Sequence, residues 1–149
     1  VKKYNGISKG GELLMVDSKA VWPDFFPIQC PPTDARKEVA EVYRVVEHDP
    51  INNKDFLPHI ILFPNNNYGV NQCKACGLSV YRLKEDCVNV MKAIPRLRKA
   101  GKVAHGIIPQ EGGVIKNTPK NGDSHVTWWA YCDIDPGAYF TVMEDEKCG

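Results

Sequence analysis

The run SHVTWW at residues 124–129 places an imidazole, two hydroxyls and two large aromatic planes within six positions. Strand periodicity divides them between two faces. His125, Thr127, Trp129 and Tyr131 fall on one, and Ser124, Val126, Trp128 and Ala130 on the other. The first set joins a titratable ring and hydroxyl donors to an indole, the combination that holds a nucleotide or another planar polar ligand. The plainer alternative is a hydrogen-bonded histidine inside a packed strand. Trp128, on the opposite face, is expected in the core.

Other residues become relevant if they converge on this face. Arg44 interrupts the apolar stretch VYRVV, and a guanidinium there must be paired, exposed at an edge, or aimed into a cleft. Ser79 in GLSV is a strand residue whose hydroxyl would line a pocket. His105 in VAHGII would approach His125 if their strands were neighbours, and two histidines facing one pocket suggest phosphoester chemistry. At the C-terminus, Glu144 and Glu146 are two apart and share a face if the strand continues that far. The catalytic candidates are thus His125, Ser79 and Glu144, and the ligand-binding candidates Arg44, Thr127, Trp129 and His105.

Six cysteines are read as thiols rather than a disulfide framework. Cys73 and Cys76 form a C-x-x-C pair in CKAC, but no second C-x-x-C or H-x-H pair completes a zinc tetrahedron, and no metal is expected. A redox pair needs a helix N-terminus to lower a thiol pKa, whereas CGLSVYR continues as a strand.

The elements that must position these groups follow from pattern and punctuation. Residues 16–36 carry prolines at 23, 27, 31 and 32 and read as an extended arm, with Trp22, Phe25, Phe26 and Ile28 pinned onto the domain. AEVYRVVE at 40–47 is the first strand, PHIILF at 58–63 the second and CGLSVYR at 76–82 the third. LKEDCVNVMKAIPRLRKAG is the main helix, kinked or restarted at Pro95, with Gly101 suited to its C-terminal cap. KVAHGIIP, GGVIKNTP, SHVTWWAYC and GAYFTVME are four short strands, separated by turn-forming sequences and expected to run as a meander. The fold class is α+β: a single domain with a largely antiparallel sheet, one main helix and the proline-rich arm.

Composition limits the function. The 149 residues, 43% hydrophobic, make one domain with a core of its own. Nineteen basic against 18 acidic residues give a net charge of +1, which excludes a broad nucleic-acid surface. No apolar run approaches a membrane span, and the first residues lack a signal-peptide pattern, so a cytoplasmic location is expected. SKGGELLM at 8–15 would be encoded by a purine-rich tract like a bacterial ribosome-binding site. Residues 1–14 are accordingly read as a flexible or non-native leader, and 15–149 as the domain.

The blocks CPPTDAR, VYRVVEHDPINNKDF, CKACGLSVYR, KAIPRLRKAGKVAHGII and SHVTWWAY resemble a set of small uncharacterised bacterial proteins that share them in the same order, GLSV and SHxTWW being the most specific. HVT is similar to half of the two-histidine phosphoesterase pattern, although HGI offers no hydroxyl two residues on. The order Arg44, Ser79, then Glu144 or Glu146 loosely resembles ADP-ribosyltransferases, without their serine-threonine-serine triplet. That resemblance implies an arginine on the phosphates of NAD, a pocket serine and a glutamate beside the transition state. The expected ligand is a nucleotide such as NAD. The alternative is a non-enzymatic interaction module, of the immunity, antitoxin or mobile-element accessory kind, with a protein partner.

Overall fold

The computed structural model describes residues 21–144. The leader at 1–14, the first residues of the arm, Glu146 and Cys148 lie outside the described residues. Six strands, β1 (Ala40–Val46), β2 (Leu78–Tyr81), β3 (Lys102–Ile108), β4 (Gly113–Asn117), β5 (His125–Ala130) and β6 (Phe140–Val142), form one sheet in the order β4-β5-β2-β1-β3-β6. Every pairing is antiparallel. The helices are short: α1 (His59–Leu62), α2 (Gln72–Ala75), α3 (Lys84–Ala93) and α4 (Pro95–Ala100). The domain is α+β.

β-Branched and aromatic residues alternate along β1, so Val42 and Val46 face one way and Tyr43 and Val45 the other. The first face carries the main core, where Val42, Val80, Val126 and Trp128 are fully buried beneath Phe56 and Phe140. On the second face α3 covers Tyr43, Tyr81 and Val103 with Cys87, Val88 and Met91. Glu85 and Asp86 in its first turn and Lys92 in its last suit the helix dipole. The helix breaks where expected: Ile94, preceding proline, is held extended and Pro95 opens α4. Gly101 is extended rather than left-handed, and glycine is needed there because a Cβ would lie 2.6 Å from the Leu97 carbonyl oxygen.

Three expectations are corrected. Residues 58–63 form one helical turn, not a strand, with Ile61, Leu62 and Phe63 exposed. A short apolar run has no period that separates the two forms, and Pro58, just before the turn, has no N–H to donate to a strand ladder. The last four strands are not a meander: β4 and β5 form a hairpin, but β5 joins β2 while β3 lies between β1 and β6. Turn residues mark where a strand ends, not which strand it joins. Lastly, Cys30 and Cys73 are joined in a disulfide across 43 positions, a proximity that only the folded arm creates. Cys76 remains a buried thiol, its pKa pushed up to about 11 by burial, so the C-x-x-C cysteines do not pair with each other.

The arm packs as a strap in part. Trp22 and Phe26 lie against Trp129 and the disulfide, whereas Phe25 and Ile28 are exposed. Among the described residues no helix is long and apolar enough to cross a membrane.

Candidate functional site

β1 pairs with β3 along all seven residues, but with β2 only through Tyr43 opposite Tyr81. Beyond that pair the two strands part, and a cleft of about 860 Å³ opens beside them, within the range of small-molecule sites. Arg44 stands at the parting. Its Nη1 donates to the Ser79 carbonyl at 2.7 Å and its Nε to the Asp55 carbonyl at 3.0 Å, while the guanidinium lies 4.8 Å from the Phe56 ring centroid. Arg44 thereby replaces ladder bonds that separated strands cannot make. Burial pushes its pKa down to about 10, opposed by the charge of Asp55, and it stays cationic at neutral pH.

Asp55 closes a capping box at the turn Asn53–Phe56. Its carboxylate accepts from the backbone N–H groups of Glu47 and Asn52, at 2.8 and 3.1 Å, and contacts His48 Nδ1 at 3.0 Å. Burial alone would raise this carboxyl's pKa, but those donors hold it below the usual value. Its lone pairs are committed to structure.

The cleft floor is a polar chain. The exposed Ser79 hydroxyl lies 2.9 Å from His125 Nε2, His125 Nδ1 lies 2.7 Å from Thr118 Oγ1, and Thr118 Oγ1 lies 2.9 Å from Thr127 Oγ1. His125 is only 4% exposed, and burial together with the nearby Lys74 charge lowers its pKa to about 4, so the ring is neutral at physiological pH. Asp86, in the first turn of α3, anchors the start of β5 by accepting from the Ser124 amide and hydroxyl.

The walls are cationic and aromatic. Arg44, Lys54, Lys74 and Arg96 line the cleft against Glu47 and Asp55. Arg96 is paired with Glu47 at 3.0 Å. Lys54 and Lys74 meet no carboxylate within salt-bridge distance among the described residues. Phe63, Tyr68 and Tyr81 supply rings along the same lining.

Arg44, Ser79 and His125, far apart in the chain, thus line one cleft. The other candidates do not. Trp129 is 2% exposed, donates its indole N–H to the Cys73 carbonyl and packs on the disulfide, so it offers no stacking plane to a ligand. Thr127 is buried behind Thr118 and reaches the cleft only through the chain. His105 lies on β3, separated from β5 by two strands, and contacts Glu41 at 2.7 Å. The two-histidine arrangement is therefore not formed. Glu144 is exposed beyond β6 at the sheet edge and does not line the cleft. Among the described residues no group of three or more His, Cys, Asp or Glu would hold a metal ion.

Lys74, Thr118 and Glu47 escaped the sequence reading. Counting the β4–β5 hairpin back from its turn would have brought Thr118 opposite His125. For Lys74, between two cysteines, no sequence signal existed. No protein-family model, curated protein or solved structure matches the chain.

Proposed function

We propose that the cleft binds a nucleotide of the NAD type. The convergence of Arg44, Ser79 and His125 on a cleft with more cationic than anionic side chains carries this reading. Phosphates require that charge, and a base requires the aromatic walls. The resemblance to ADP-ribosyltransferases extends the reading to ADP-ribosyl transfer. The carboxylate for such a step would be Glu47, half-buried in the cleft lining, rather than Glu144. Thermal shifts with NAD, ADP-ribose, ADP and adenosine test the binding. Phosphate-bearing ligands should stabilise the protein by about 2.7 kcal/mol at a hundred times their Kd, and adenosine at the same concentration by less. Absence of any nucleotide shift refutes the reading. Nicotinamide release from NAD, abolished in Glu47→Gln, would support transfer.

A second reading, an interaction module with a protein partner, is favoured by the apolar side chains of Ile61, Leu62, Phe63 and Val70, all left exposed. Stable co-purification of one partner, lost on Leu62→Asp, together with no nucleotide shift, would select it. The cytoplasmic address belongs to the same set of proposals, and the Cys30–Cys73 disulfide is the observation against it, since structural disulfides persist mainly in oxidising compartments. Thiol counting on protein from its native source decides the point.

A further inference from the structure

The chain Ser79–His125–Thr118–Thr127 has a direction. A neutral imidazole carries one N–H, so His125 either donates to Ser79 through Nε2 and accepts at Nδ1, or the reverse. Thr127 decides between them. Its hydroxyl is 2% exposed and meets no partner other than Thr118 Oγ1 among the described residues. If Ser79 donated to His125 and Nδ1–H to Thr118, one hydroxyl proton, either that of buried Thr127 or that of Thr118 turned out of the chain, would have no acceptor among the described residues. If Thr127 donates to Thr118, Thr118 to Nδ1 and Nε2–H to Ser79, every proton inside the chain is used. The Ser79 proton is then left for the cleft.

This direction gives Ser79 a role other than that of a nucleophile. A serine that accepts from histidine is not deprotonated by it, and among the described residues no carboxylate contacts His125 to stabilise an imidazolium. Its hydroxyl is instead a donor, strengthened by the bonds behind it. Lys74 lies close enough to depress His125 and lines the same cleft. Its ammonium meets only the Asn121 side-chain oxygen, at 2.8 Å, among the described residues.

We propose that the Ser79 hydroxyl and the Lys74 ammonium form an oxyanion subsite on the cleft floor that takes a phosphate of the ligand, with His125 as a positioning residue that fixes the direction of the Ser79 proton. The proposal rests on the nucleotide reading but can be tested apart from it, because its probe can be inorganic pyrophosphate.

Titration calorimetry of the full chain with NAD and with pyrophosphate, on wild type, Ser79→Ala, Lys74→Gln, His125→Leu and His125→Gln, provides the test. Ser79→Ala and Lys74→Gln should each weaken both probes by about tenfold. His125→Leu should do the same, whereas His125→Gln, whose amide N–H can stand in for Nε2–H, should restore most of the affinity. A general base would not be rescued in this way. Imidazole ¹⁵N chemical shifts should show the Nε2–H tautomer, and an Nδ1–H tautomer overturns the proton direction. If NAD binds and the variants bind equally well, the subsite is wrong and the nucleotide reading stands. If pyrophosphate alone binds with the expected pattern, the subsite stands and the nucleotide reading falls. If neither probe binds, both fail.

Discussion

Acidification should destabilise the protein, with His125 the largest contributor and His59, whose pKa burial and the Arg44 charge also lower, adding a loss of the same sign. His125 is buried and neutral with a pKa lowered to about 4, whereas in the unfolded chain it titrates at the ordinary histidine value. Between those values the unfolded state binds a proton that the native state refuses, so stability is present above pH 6.5 and lost as pH falls toward 4. From an unfolded value of about 6.5, linkage gives a loss of about 2 kcal/mol at pH 5 and about 3 kcal/mol at pH 4, relative to pH 7. Asp55 adds a loss of the same sign, but at lower pH, because its pKa is held below the usual carboxylate value. Urea unfolding across this pH series, for wild type and His125→Gln, isolates the histidine. The glutamine variant keeps the hydrogen-bond donor and cannot titrate. The wild-type curve should fall more steeply by about the amounts given, with its slope concentrated between pH 6.5 and 4. Parallel curves would show that His125 is not desolvated, and would remove the basis for treating it as neutral.

The remaining predictions concern the clamps around the cleft. Reducing the Cys30–Cys73 disulfide, or replacing both cysteines by serine, should cost about 4 kcal/mol on the chain-entropy model for a loop of 43 positions. It should also alter tryptophan fluorescence, because Trp129 packs on that bridge. Equal unfolding midpoints with and without reductant refute this. Arg44→Met leaves the Ser79 and Asp55 carbonyls without their donor, and should cost about 2–3 kcal/mol in urea unfolding as well as loosening the cleft. A variant as stable as wild type would mean that the strands part without its help.

Much of the architecture was legible locally. Strand residues 40–46, 78–81, 102–108 and 125–130 follow from β-branched and aromatic composition between turn formers, and the helix break at Ile94 follows from Pro95. The run at 58–63, helical rather than extended, was not legible because so short a mostly apolar stretch contains too little periodicity to choose between strand and helix. Trp129 was placed on the correct face of β5, yet its surroundings depend on the arm and on Cys73, both remote in sequence.

Sequence by itself determined the residue types and their alternation: Arg44 among valines, Ser79 in a strand, and His125 with Thr127 on one face. Alternation is a property of neighbouring peptide units and needs no tertiary information. Only the tertiary structure decided which strands pair, and therefore that β5 joins β2, that β1 and β2 part beyond Tyr43, and that His105 and Glu144 are left outside. Strand pairing is set by the joint burial of residues far apart in the chain. The cleft exists because one ladder ends after a single pair of residues while another, on the opposite side of β1, runs its full length.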